Sequence, residues 1–160
     1  MAFSAMRLKF LWPGRTKSPE LRALQDLFVV RIEALAACRV VETREARGVN
    51  EKLAGKIKEI EAQGLDRHLE GAYVICLGDQ GKEMTSQEFA RFLRGREQEA
   101  GRPPAFVVGG FLGLAERIVD KADLVLSLSR LTFSHELCRV VLLEQVYRAL
   151  TINRGRQYAK

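Results

Sequence analysis

The last third of this sequence gathers the residue types that could do chemistry. Phe106-Val-Val-Gly-Gly-Phe-Leu-Gly113 is an apolar run that breaks into three glycines. Leu126-Ser-Leu-Ser-Arg-Leu-Thr-Phe-Ser-His135 is a polar stretch ending in an imidazole, and Arg139 follows one helical turn later. Glycines let backbone N–H and C=O groups come close to a ligand. A histidine titrates near neutrality and can accept a proton or orient a substrate, and a guanidinium can stabilise negative charge that develops during a reaction. Arg154, Arg156, Tyr158 and Lys160 close the chain with groups that could hold phosphates. Together these residues suggest a nucleotide-like ligand. Each also has a plainer reading: a tight strand-to-helix turn for the glycines, a helix cap for His135, surface cations for the arginines.

The glycine spacing is wrong for a dinucleotide fingerprint, no acidic residue sits at a strand end about twenty residues on, and no Gly-Lys-Ser/Thr marks a P-loop. Cys38, Cys76 and Cys138 are far apart in apolar surroundings with no Cys-x-x-Cys spacing, which predicts buried small hydrophobes and no metal site.

Those residues must be positioned by strands and helices, and the pattern predicts which. Leu8–Leu11 reads as a strand closed by Pro13-Gly14. Ser18 before Pro19 is an N-cap with proline at N1, so a helix is expected from Pro19 to about Leu35. Cys38–Glu42 reads as a second strand, Thr43–Val49 as a loop, and Asn50 as the cap of a charged helix reaching towards Leu65. Ala72–Leu77 is continuously apolar and β-branched, the signature of a strand buried on both faces, and is expected to be the central strand. Gly78–Lys82 reads as a loop, and Thr85-Ser-Gln-Glu88 is a capping box for a helix to about Gly95. Ala105–Val108 and Leu124–Ser127 read as further strands, with a short helix at Leu114–Lys121 between them. Ser134 to about Ile152 is a helix too apolar for one buried face, so part of it is expected against another subunit. Glu144 and Arg148 are spaced to pair on it, Tyr147 is expected to pack, and Trp12 to be partly buried beside the first turn.

Strands alternating with helices give an α/β fold with a mainly parallel sheet, whose ligands bind at the carboxyl ends of strands. Three such ends are polar or glycine-rich: Leu77–Gly81, Gly109–Gly113 and Leu128–Thr132. The chain has 160 residues, 47% of them hydrophobic, enough for one domain with a real core. A net charge of +6 without any long run of like charges favours a polyanionic partner over a basic tail. Neither a membrane-spanning stretch nor a signal peptide is legible, so a cytoplasmic protein is expected.

Phe106–Gly113, Leu126–His135 and Cys138-Arg-Val-Val-Leu-Leu-Glu-Gln-Val-Tyr-Arg-Ala149 resemble the SPOUT-class ribosomal RNA large subunit methyltransferase H family, bacterial pseudouridine N3-methyltransferases. The resemblance runs from Met6 onward, which makes residues 1–5 an N-terminal extension and residues 6–160 a single SPOUT domain. It implies helices on both faces of the sheet, a C-terminal trefoil knot, a homodimer with active sites at the subunit interface, and S-adenosylmethionine as cofactor. By motif, Leu77, Gly109, Leu128, Ser129, Arg130, Leu131, Thr132 and Phe133 would bind the cofactor. His135 and Arg139 would be catalytic, and Arg154, Arg156, Tyr158 and Lys160 would bind RNA. The implied substrate is 23S rRNA in the assembled 70S ribosome, with neither metal nor membrane involved. Two positions depart from the family: Ala159 stands where histidine is usual, and Ser134 replaces a proline. The first leaves open an RNA- or ribosome-binding protein of the same fold without turnover, and a small-molecule nucleotide-binding enzyme of ordinary α/β topology stands as a separate third reading.

Overall fold

The core is organised by alternation along the strands. In the computed structural model, which describes residues 4–99 and 101–158, Leu8, Phe10 and Trp12 of the first strand face one side of a sheet and Leu11 faces the other. Successive side chains on a strand point to opposite faces, so one strand feeds two hydrophobic layers. The elements run β1 (Ser4–Pro13), α1 (Pro19–Glu33), β2 (Ala36–Thr43), α2 (Ala54–Leu69), β3 (Tyr73–Glu83), α3 (Ser86–Gln98), β4 (Pro104–Val107), α4 (Glu116–Asp120), β5 (Leu124–Ser127) and α5 (His135–Asn153). All five strands are parallel, in the order β2-β1-β4-β3-β5.

One layer joins Phe10, Ile75 and Phe106 to α1, α3 and α5, with the rings of Phe10 and Phe106 stacked at 5.4 Å. The other joins Leu11, Val74, Cys76 and Val107 to Ala62, Leu65 and Ile118 from α2 and α4. Helices therefore cover both faces, as expected for an α/β protein whose strands read as apolar runs.

Local signals placed several helix ends correctly. Ser18 Oγ accepts from the Leu21 N–H, Thr85 and Glu88 form a reciprocal capping box, and Ser134 Oγ accepts from Leu137 N–H. Asn50 does not cap α2. Its side chain accepts from Lys52 N–H and its carbonyl from Leu53 N–H, making a separate turn before the helix begins at Ala54.

Three other expectations are corrected by packing between elements. The middle strand is β4, all four of whose residues are buried. β3 lies between β4 and the edge strand β5, and an apolar strand pattern cannot rank two interior strands. The stretch Gly78–Lys82 is not a plain loop: Leu77 and Lys82 both register on Leu126, so Gly78–Gly81 is an excursion within a longer β3. A Cβ on Gly81 would come within 2.6 Å of the Val125 carbonyl oxygen, so β5 requires glycine there. Trp12 is fully buried, not partly, under the guanidinium of Arg139 at 5.1 Å.

The apolar bulk of α5 is used largely within the chain. Val140, Leu142, Leu143, Val146, Ala149 and Leu150 are all buried, and the helix packs on α1 and α3 as well as on the sheet. The larger exposed apolar ridge belongs to α1: Leu24, Leu27 and Val30. No described helix is long and apolar enough to cross a membrane.

Candidate active site

The carboxyl ends of β3, β4 and β5 converge on one cavity of about 610 Å³. That volume suits a nucleoside-sized ligand. Its walls include Leu77 and Asp79 from the β3 excursion, Val108–Leu114 after β4, Leu128, Ser129, Leu131, Thr132 and Phe133 after β5, and His135 and Cys138 from the first turn of α5. Neither lysine nor arginine is among the lining residues, and Asp79 is the one carboxylate.

The backbone of each loop is fixed. After β4, Gly113 N–H donates to Gly110 C=O at 3.0 Å and the two residues form a bridge. Gly113 has φ +85, and a Cβ on Gly109 would lie 2.6 Å from the carbonyl carbon of Gly113. Both positions therefore demand glycine, one for conformation and one for space. After β5, Ser127 Oγ donates to Ser129 C=O and Leu131 N–H donates to Ser129 Oγ, each at 2.9 Å. These turns keep the side chains of Arg130, Leu131 and Thr132 exposed while Phe133 is half-buried.

Of the residues singled out in the sequence, Leu77, Gly109, Leu128, Ser129, Leu131, Thr132, Phe133 and His135 line this cavity. Arg130 lies in the same loop with its side chain in solvent. Burial and the nearby positive charge of Arg139 push the His135 pKa down, against the opposing pull of Glu136. Both effects favour the neutral form of the imidazole.

Arg139 is not a wall of the cavity. It is 1% exposed, and its guanidinium donates to the Pro13 carbonyl at 2.8 Å and to Thr16 Oγ1 at 3.1 Å. Desolvation pushes its pKa down to about 10, so it stays cationic at neutral pH. Its position one turn after His135 suggested a shared face, but the guanidinium is held by the loop after β1 and does not line the cavity.

The tail lies elsewhere in the same chain. The 19 residues of α5 span about 28 Å at 1.5 Å per residue, so the end of the helix is remote from His135. Arg154 donates to the Leu150 and Leu35 carbonyls at the far end of the sheet, and Arg156 is exposed. Tyr158 packs edge-on to Tyr147 at 5.0 Å beneath Arg148, whose guanidinium also pairs with Glu144 at 2.9 Å. Lys160, like Ala159, lies outside the described residues.

The sequence reading missed two neighbours of the site. Cys138 follows His135 at i+3, a spacing that places both on one helix face; burial pushes its thiol up to about 11, so it is no nucleophile at neutral pH. Glu61 of α2 stands behind the glycine loop, where a Cβ on Gly110 would meet its Oε1 at 2.8 Å. Its Oε2 accepts from Ala46 N–H at 3.3 Å, and burial holds its pKa above the usual carboxylate value. No local motif signals that contact.

The chain matches, over residues 6–159, the family model described as "Predicted SPOUT methyltransferase". It is 37% identical over 154 residues to the ribosomal RNA large subunit methyltransferase H of Geobacter metallireducens, covering 96% of this chain and 98% of that one. Identity to the protein of the same name from Gloeobacter violaceus is 39% over 153 residues, with the same coverages, 96% and 98%. This chain belongs to the ribosomal RNA large subunit methyltransferase H family. It is thus a SPOUT methyltransferase. Solved structures agree on the fold at low identity. A probable methylase family protein from Haemophilus influenzae Rd KW20 superposes with a TM-score of 0.59 at 12% identity, covering 96% of this chain and 70% of that one. A probable methyltransferase from Bordetella pertussis Tohama I gives 0.58 at 11%, covering 91% and 95%.

Proposed function

We propose that this methyltransferase family member uses S-adenosylmethionine to methylate N3 of a pseudouridine in 23S rRNA on the assembled 70S ribosome, acting in the cytoplasm as a homodimer whose C-terminal part is knotted. The observation that carries the reading is the convergence of three strand-end loops on one cavity whose walls are apolar side chains and backbone groups. The set fits the group. The lining lacks cations that would repel a sulfonium and an ammonium, Asp79 offers a counter-charge, and Leu77, Leu128, Leu131 and Phe133 offer flat apolar walls. When bound, the cofactor supplies a methyl group on positively charged sulfur, activated for transfer to nitrogen.

Gly109 and Ser129 would present backbone groups to the adenine edge, while Thr132 adds a hydroxyl beside it. The imide N3–H of the substrate must lose its proton as the new N–C bond forms, and we assign His135, which lines the cavity, to accept it. Arg139 acts through others: it pins Pro13 and Thr16, and its charge adds to the effect of burial in pushing the His135 pKa down. Because Arg154 is held at the opposite end of the sheet by the Leu35 carbonyl and none of Arg154, Arg156 and Tyr158 lines their own chain's cavity, we assign them, with Lys160, to RNA contact beside the partner's cavity in the dimer. The exposed ridge Leu24, Leu27 and Val30 on α1 is suited to that dimer contact. Residues 6–160 form the catalytic unit in this reading, with residues 1–5 as an extension.

Incubation with labelled S-adenosylmethionine and 70S ribosomes lacking the modification tests the reading. Label is expected in 23S rRNA of intact ribosomes. Saturable cofactor binding without incorporation would instead favour a ribosome-binding protein without turnover, the alternative raised by Tyr158-Ala-Lys160.

A further inference from the structure

Phe111 is left over by this account. It sits at the tip of the glycine loop and is 71% exposed, although the residues just before it, Val108–Gly110, are buried. The bridge between Gly110 and Gly113 fixes the loop beneath it, so the ring is held out in a set place. Leu131, 75% exposed, lines the same cavity from the loop after β5. An apolar rim thus borders the opening of a cavity whose interior is otherwise accounted for.

The end of the sheet that carries the cavity also carries exposed cations. Arg15 follows β1, Arg44 and Arg47 follow β2, and Arg130 follows β5, all exposed and all at the end of the sheet that carries the cavity. Arg47 reaches an acidic partner only at 4.0 Å. A face of this kind, one presented ring among dispersed cations, matches an unpaired segment of nucleic acid: the ring takes a base face and the cations take phosphates. A second copy of this chain or another protein would be better matched by the continuous apolar ridge on α1.

We infer that Phe111 is the stacking platform for an unstacked nucleobase of the RNA substrate, either the target or its neighbour, at the mouth of the cofactor cavity. The inference rests on the rRNA reading above. An enzyme that modifies a base must draw it out of its stack, and replacing lost base–base stacking with base–ring stacking offsets part of that loss. Phe111 would therefore govern chiefly how well the RNA is held.

The test compares wild type with Phe111→Ser and Phe111→Trp, using labelled S-adenosylmethionine and a concentration series of unmodified 70S ribosomes. Stacking predicts that F111S raises KM for ribosomes about tenfold and that F111W restores it. Mass by light scattering should stay at the wild-type value in both variants, and because Phe111 also borders the cofactor cavity, any loss of cofactor affinity by calorimetry should be smaller than the rise in KM for ribosomes. An unchanged KM in F111S overturns the inference while leaving the rRNA reading intact. So does a defect confined to cofactor affinity, which makes Phe111 a cofactor wall, or to oligomeric mass, which makes it a protein contact. Wild-type protein that binds cofactor yet methylates no ribosomal RNA overturns the rRNA reading and this inference with it.

Discussion

Arg139 shows how a side chain can govern a site it never touches. It is a buried cation with no ion pair among the described residues, held by two hydrogen bonds to neutral oxygens and by the Trp12 ring. Replacing it by methionine fills similar space but leaves the Pro13 carbonyl without its donor, which costs about 1–3 kcal/mol. The same change removes the positive charge that helps keep His135 neutral. In Arg139→Met the His135 pKa is therefore expected to rise, measured by NMR titration of the imidazole, while His68 serves as the unaffected reference. A His135 titration identical to wild type would contradict the proposed coupling. The sequence showed Arg139 one turn from His135 but could not show its burial, because that depends on Trp12 and the Pro13–Thr16 loop, which are more than a hundred residues away in the chain. Leu77, Gly109 and the Leu128–Phe133 loop were legible because strand-end position and glycine content are local properties.

Glu136 does a comparable job between elements. From the first turn of α5 its carboxylate accepts from Lys17 N–H and Ser18 N–H at 3.0 Å each, so the start of one helix satisfies backbone donors at the start of another. Burial pushes its pKa up, but the two backbone hydrogen bonds outweigh burial and hold it below the usual carboxylate value. A depressed acid contributes stability that is present above its unfolded-state pKa and lost as pH falls through its folded-state pKa. Glu136→Gln should cost about 1–2 kcal/mol near pH 7, and wild type and variant should converge in acid. Urea melts at both pH values check this, and a pH-independent gap would refute it. Helix caps at Ser18, Thr85 and Ser134 could be read in advance because cap and partner lie within three residues. The middle position of β4, the excursion of β3 and the failure of Asn50 to cap α2 could not, since strand order and loop pairing are decided by contacts distant in sequence.

As a whole molecule, the protein sets a parallel sheet between two helical layers and places its cavity where three strands end, so the fold class followed from the alternation of apolar runs and amphipathic stretches. The specificity of the chemistry did not follow from that architecture, which many activities share. It came from the loops and from family membership. The claim that unites them is that the glycine loop, the β5 loop and the start of α5 form a methyl-donor site serving N3 of a pseudouridine. Nucleoside mass spectrometry of 23S rRNA, after incubating unmodified 70S ribosomes with S-adenosylmethionine and either wild type or Gly109→Ala, tests it. A Cβ at 109 would collide with the Gly113 backbone, so the variant should lose the cofactor site. N3-methylpseudouridine should appear with wild type and fall at least tenfold with Gly109→Ala. Methylation on another atom, or undiminished product from the variant, would contradict it.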